Sequence, residues 1–220
     1  MVFCNKKKLT DNTLKINKLV VNPTGLVNSI YPKAIWNIKT EEKVLYLTFD
    51  DGPVPILTEK VLDILDKYDA KASFFCVGEN VKKFQPLFNE INDRNHLTGN
   101  HTYSHLNGWK TGARKYIKNI NWADSIIKSE YFRPPYGKLN FLSYNYISNK
   151  FKVIMWDVLS KDFDKRLSPQ NCFEIVKRFA KPGSIIVFHD NYKAEKNMLY
   201  CLQKTLDFYS ESGYKFLRIK

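Results

Sequence analysis

Val44-Leu45-Tyr46-Leu47-Thr48-Phe49-Asp50-Asp51-Gly52-Pro53 is the stretch that decides how the rest of the chain is read. Its first half is an apolar run that reads as a buried strand. The run ends on two adjacent carboxylates, and Gly52-Pro53 then stops the strand and turns the chain. An uncompensated charge at the edge of a core costs on the order of several kcal/mol, so a cation, a metal or a shared proton is expected beside this pair. Strand side chains alternate in direction, which predicts that Asp50 and Asp51 face opposite ways and do different work.

Downstream, strands alternate with helices. Further strands are predicted at 72–78, 96–100, 131–133, 152–157, 184–189 and 215–219. Helices are predicted from near Thr58, over 79–93 with a break at Pro86, and over 113–129, 168–180 and 196–211, while 138–150 reads as helical or irregular. Ser168-Pro169 is a good helix start, with Ser as cap and Pro in the first turn. Seven or so strands linked by helices imply an α/β fold with a mostly parallel sheet, closed as a barrel or open and doubly wound. No glycine-rich dinucleotide or phosphate loop is present, which counts against nucleotide binding.

With 220 residues, 44% of them hydrophobic and 15% aromatic, the chain can bury one large core. No stretch is long enough to span a bilayer, and the first 30 residues hold no apolar leader, so the expected location is cytoplasmic by default. Cys4, Cys76, Cys172 and Cys201 are too scattered for a zinc finger and read as small core residues. The net charge is +13, and residues 1–40 carry Lys6, Lys7, Lys8, Lys15, Lys18, Lys33 and Lys39 against the single acid Asp11. This segment reads as a basic arm or lead-in, either solvated or drawn to an anionic surface. No nucleic-acid-binding motif accompanies it.

Polar residues gather where strands end. Asp50 and Asp51 end the first predicted strand, His101 and His105 follow the third, and Arg133, Asp157 and His189-Asp190 end later ones. In α/β folds that edge carries the active site. His101 and His105 have the i, i+4 spacing that places two imidazoles on one side of a helical turn. One carboxylate added to them makes a three-ligand site for zinc or another divalent transition ion, and the same ligand types also serve iron oxygenases. His96, in a polar stretch, reads as an exposed loop residue. Trp36 and Trp122 read as core, while Trp109, Tyr103 and Tyr136 lie near the motif ends, as packing residues or as platforms for sugar rings.

Five stretches in order resemble the polysaccharide deacetylase family, carbohydrate esterase family 4. They are Thr48 to Pro53, the His101-Thr102-Tyr103-Ser104-His105 pair motif, Arg133-Pro134-Pro135-Tyr136-Gly137, Trp156 to Phe163, and Val187-Phe188-His189. The resemblance runs from about residue 44 to the C-terminus. It implies a distorted (β/α) barrel of seven or so parallel strands, with residues 41–220 as the catalytic domain. It implies metal-dependent removal of N- or O-acetyl groups from a sugar polymer or oligomer such as peptidoglycan or chitin-like chains. Carried over, Asp51, His101 and His105 hold the metal, zinc first, with cobalt or nickel compatible. Asp50 is the base, oriented by Arg133, and His189 is the acid that protonates the leaving amine. The Tyr136 backbone N–H serves the oxyanion, and Pro134, Phe163 and Val187 line the substrate site.

The chemistry agrees with those roles. An amide carbonyl is a poor electrophile, a metal polarises it, and a departing amine needs a proton that an imidazole can supply. The fourth motif departs from the usual D-S-x-D-W, because Leu159 stands for its first Asp and Phe163 for its Trp. Asp157 or Asp162 is then expected to brace Arg133. An iron oxygenase leaves Asp50 and His189 unexplained. A non-catalytic glycan-binding relative would have lost the base, a ligand or the acid, and all are present.

Overall fold

A computed structural model describes residues 29–220, and its eight strands form one sheet. They are β1 (Val44–Asp50), β2 (Ser73–Cys76), β3 (Leu97–Asn100), β4 (Tyr131–Phe132), β5 (Lys152–Val153), β6 (Val158–Leu159), β7 (Ile185–His189) and β8 (Lys215–Phe216). The order is β5-β4-β3-β2-β1-β7-β6, with β8 added beside the start of β1, and every strand pair is parallel. Parallel neighbours need long crossovers. Helices α1 (Leu57–Asp66), α2 (Gly78–Lys83), α3 (Gln85–Asp93), α4 (Ala113–Ile127), α5 (Phe141–Lys150), α6 (Pro169–Phe179) and α7 (Glu195–Glu211) lie on them. The result is an α/β distorted barrel.

β1 pairs with three strands, β2, β7 and β8, and its alternation sets the two layers. Leu45, Leu47 and Phe49 are fully buried among Leu57, Val61, Leu62 and Leu65 of α1. Phe49 stacks between Phe74 at 4.9 Å and Phe188 at 5.6 Å. Burying each such side chain stabilises the fold by about 1.5–3 kcal/mol. The intervening residues Tyr46, Thr48 and Asp50 take the other face, where Tyr46 meets the cluster of Phe75, Tyr131, Ile154 and Ile185. α6 starts as its sequence dictates, with the Ser168 hydroxyl accepting from Asn171 N–H at 3.2 Å and Pro169 in the first turn.

A strap N-terminal to β1 joins the two sides of the sheet. Ile35 N–H donates to Val153 O and Ile35 O accepts from Met155 N–H, both at 2.8 Å, while Ile38 N–H donates to Gly183 O at 2.9 Å. A side chain at Gly183 would collide with the Ile38 carbonyl, and its φ of +82° is the left-handed region that glycine adopts freely. Tyr31 and Trp36 are buried with this strap. Residues 1–28, with Cys4 and most of the basic arm, lie outside the described residues. No helix among the described residues is long and apolar enough to cross a membrane.

Several expectations are corrected. Of the strand predicted at 152–157 only Lys152–Val153 forms, as β5; Ile154 and Met155 turn their carbonyls onto Arg133, and β6 begins beyond the predicted range at Val158. The 79–93 helix breaks at Phe84, ahead of Pro86. His96 is buried, its Nδ1 accepting from Ala72 N–H at 3.1 Å and its ring edge-on to Phe74. The turn at Asn95, with φ of +62°, drops His96 beneath the polar residues that mark the loop as exposed. Trp122 is half exposed and caps the barrel wall by stacking on Tyr103 at 3.6 Å. Cys76, Cys172 and Cys201 are free and buried, as their apolar settings predict.

Candidate active site

The site grows from the end of β1. Asp50 is its last residue, and Asp51 leaves the strand with φ of +88°. That turn overturns the expected alternation and brings both carboxylates toward one imidazole. His101 Nε2 lies 3.7 Å from Asp51 Oδ1 and 4.0 Å from Asp50 Oδ2. The bend is held by Asn80 Nδ2, which donates to the Asp51 carbonyl at 2.8 Å, and by Val77 N–H, which donates to Gly52 O at 2.9 Å. Gly52 is obligatory for a packing reason, since a Cβ there would sit 2.0 Å from Asp190 Oδ2. Asp190 in turn accepts from Gly52 N–H at 3.0 Å and from the Thr58 hydroxyl at 2.7 Å, tying the β1 loop to the end of β7. Burial pushes its carboxyl up to about 8.

Asp51, His101 and His105 form a group whose ligand atoms all lie within 4.8 Å of one another. The two histidines are not on a helical turn. They sit on a loop with left-handed residues at Thr102 and His105, and their rings are 5.1 Å apart. His101 Nδ1–H donates to the Arg133 carbonyl at 2.7 Å, which leaves Nε2 as a lone pair aimed into the site. Burial, only partly opposed by Asp50, lowers the His101 pKa to about 4, so this imidazole is neutral. His105 Nε2 is 3.0 Å from Asp51 Oδ1. Asn191 Nδ2 donates to Asp51 Oδ2 at 2.6 Å, yet Asp51 Oδ1 is buried with no well-aligned donor. Burial pushes the Asp51 carboxyl up, but the His105, His189 and His101 imidazoles outweigh it and hold the group below the usual carboxylate range. Two ring nitrogens and one carboxylate oxygen thus gather around one point, and a divalent cation fits them.

Asp50 is buried against Arg133, with Oδ1 at 2.7 Å from Nη1. Arg133 is fully buried. It donates further to Thr48 Oγ1 at 2.7 Å, Met155 O at 2.9 Å and Ile154 O at 3.2 Å, and lies over the Phe75 ring. Backbone carbonyls and a threonine therefore brace the arginine. This corrects the expectation for Asp157 and Asp162. Asp157 accepts from the Ser184 hydroxyl at 2.9 Å and Ile185 N–H at 2.8 Å, fixing the start of β7. Asp162 accepts from His189.

His189 ends β7 directly beside Asp50. Its Nδ1–H donates to Asp162 Oδ1 at 2.8 Å, and its backbone N–H donates to Asp162 Oδ2 at 2.8 Å. Burial alone would lower its pKa, but the charge and hydrogen bond of Asp162, with Asp51 and Asp50 nearby, raise it to about 9. Phe163 presents its ring edge-on to His189 at 5.0 Å. Val187 is buried in β7 between Thr48 and Leu159, and Pro134 is buried beside Arg133. Tyr136 is left-handed, with φ of +62°, and its exposed ring meets His105 at 4.8 Å.

Sequence reasoning missed Thr48, Asn191 and the Asp190–Thr58 clasp. A signal for the first was present in the strand period, since Thr48 lies two before Asp50 in β1. The clasp joins residues 132 apart in sequence and left no local trace.

An imidazole pair with a carboxylate, a buried carboxylate–arginine pair and an imidazole–carboxylate pair meet at one barrel mouth, the arrangement of a metal-dependent hydrolase. The chain belongs to the polysaccharide deacetylase family, whose pattern matches residues 37–151. It is a carbohydrate deacetylase. A peptidoglycan-N-acetylglucosamine deacetylase of Bacillus cereus is 28% identical over 206 residues, covering 90% of this chain and 93% of that protein. A solved peptidoglycan N-acetylglucosamine deacetylase, in complex with 4-naphthalen-1-yl-N-oxidanyl-benzamide, has a TM-score of 0.82 at 27% identity and covers 89% of this chain and 95% of its own. A pseudoenzyme of the family from Bacillus anthracis has a TM-score of 0.75 at 26% identity, over 90% of this chain and 71% of that one. Fold alone therefore does not grant activity in this family. Asp50, the Asp51–His101–His105 group and His189 are each present in this chain.

Proposed function

We propose that this enzyme removes the acetyl group from N-acetylglucosamine units of peptidoglycan, with chitin-like oligosaccharides as soluble surrogates and O-acetylated sugars as lesser substrates. The observation that carries the reading is the Asp51–His101–His105 group flanked by the Asp50–Arg133 pair and the His189–Asp162 pair. The substrate follows the relatives described above, which act on that polymer.

Asp51, His101 and His105 hold a divalent cation, zinc first for a site of two nitrogens and one oxygen. Cobalt or nickel also suit this donor set. When bound, the cation polarises the amide carbonyl and brings the pKa of a water to about 7. Asp50, turned toward the site by Arg133, takes the proton of the attacking water. The Tyr136 N–H faces the oxyanion, a contact worth about 3–4 kcal/mol in comparable hydrolases. His189, protonated near neutrality through Asp162, gives its Nε2 proton to the departing amine, and the C–N bond breaks with its electron pair on nitrogen. Pro134, Phe163 and Val187 bound the acetyl pocket. An iron oxygenase built on the same three ligands leaves both flanking pairs without work to do.

Residues 41–220 are the catalytic domain, and the lysines of residues 1–40 draw it to an anionic surface such as the wall. Acetate release from peptidoglycan, chitooligosaccharides and acetylxylan, with metal-stripped and metal-restored protein, tests the reading. Release from peptidoglycan that returns with zinc is expected. Equal turnover by the stripped protein would overturn it.

A further inference from the structure

The groups above occupy the mouth of the barrel and do not include Trp109. Trp109 follows His105 by four residues and is 62% exposed. A surface indole is ordinarily free to change rotamer, and this one is pinned. Its Nε1–H donates to Leu139 O at 3.1 Å and to the Tyr31 hydroxyl at 3.3 Å. Tyr31 is itself buried and fixed by Leu139, accepting its N–H at 3.0 Å and donating to its carbonyl at 2.8 Å. Gly108 makes the approach feasible, since a Cβ there would lie 2.2 Å from the Lys138 carbonyl oxygen.

Lys138 places its ammonium 5.0 Å from the centre of the indole and has no carboxylate partner among the described residues. Two residues before it, Tyr136 touches the ligand His105. The His105–Tyr136 ring contact and the Lys138–Trp109 contact thus lie two residues apart along one loop, next to the metal group. A pinned aromatic costs little entropy to engage, and a sugar ring offers it an apolar C–H face. An unpaired ammonium on the same platform attracts negative charge.

We propose that Trp109 and Lys138 form an outer subsite that holds a sugar ring of the glycan away from the acetyl group being cut. The ammonium makes a chain bearing carboxylates, such as those of peptide-substituted glycan, a better ligand than a neutral one. The identity of the chain rests on the deacetylase reading, whereas the platform rests on the geometry of Trp109.

The test pairs calorimetric binding with acetate release for chitobiose, chitopentaose and a soluble peptidoglycan tetrasaccharide carrying its stem peptides. Trp109→Ala is expected to weaken chitopentaose binding and raise its KM by about fivefold, with kcat and chitobiose turnover unchanged. Trp109→Phe, which keeps an aromatic face but loses the Nε1–H bonds that pin it, restores part of this. Lys138→Met leaves chitopentaose unaffected and removes both the advantage of the peptide-bearing glycan and its salt dependence. Equal chitopentaose binding by wild type and Trp109→Ala would overturn the subsite, and an undiminished advantage in Lys138→Met would overturn its charge preference. Trp109-dependent binding without any acetate release would leave the subsite standing and remove the deacetylase reading.

Discussion

Asp162 holds His189 at two points, with one carboxylate oxygen 2.8 Å from the ring Nδ1 and the other 2.8 Å from the backbone N–H. The first bond keeps the imidazole protonated and the second fixes where β7 delivers it. Asp162→Asn removes the charge and keeps the shape. The His189 pKa then falls from about 9 toward its ordinary value near 6.5. Because the acid works in its protonated form, the alkaline limb of the kcat profile moves to lower pH. At pH 7.5 kcat drops by about tenfold, and part of it returns near pH 6. An alkaline limb that stays in place would show that His189 is not the acid.

Asp50→Asn separates the base from the metal group. The variant is expected to bind metal in full and lose acetate release by about a thousandfold. It also leaves Arg133 buried without its carboxylate, at a cost of about 3 kcal/mol in folding stability. Elemental analysis and thermal melting follow the two effects separately. Near-native turnover would sink the role given to Asp50.

Asn191 sets which oxygen of Asp51 is offered to a cation. Its Oδ1 accepts from Ala194 N–H at 3.0 Å, so its amide nitrogen must face Asp51 Oδ2. Asn191→Ala frees that carboxylate to rotate and is expected to weaken metal affinity by about tenfold, read by chelator competition. His101→Ala abolishes stoichiometric metal. Unchanged metal content in the latter would remove His101 from the ligand set.

His96 gives the fold a pH dependence remote from the chemistry. Burial, with a smaller push from Lys71, lowers its pKa to about 4 in the native state, against about 6.5 for a histidine in the unfolded chain. Between those values the unfolded chain binds the extra proton, so stability is full above about pH 6.5 and falls as pH drops toward 4. The loss amounts to about 2 kcal/mol at pH 5. His96→Asn keeps an acceptor for Ala72 N–H and cannot titrate. Its melting temperature is expected to fall less than the wild type's between pH 7 and pH 5.

The strand ending at Asp50, the strand–helix alternation and the five ordered motifs were legible because each is a local pattern. Apolar runs marked the buried strands, Ser168-Pro169 marked a helix start, and the residue types at strand ends marked the chemistry. Asp50, Asp51, His101, His105 and His189 could be chosen without coordinates because parallel strands deliver their carboxyl ends to one edge.

What the tertiary structure decided depends on contacts between distant segments and on backbone angles that residue identity does not set. Asp51 turns beside Asp50 through a left-handed φ that its sequence neighbours do not announce. Arg133 is braced by Thr48 and by the carbonyls of Ile154 and Met155, in a family whose usual pattern supplies an acid. A carbonyl carries no sequence signature, so Leu159 could stand in the acid's place without leaving the arginine unsatisfied. The opening run fixed which residues do the work, and packing fixed what holds each of them in position.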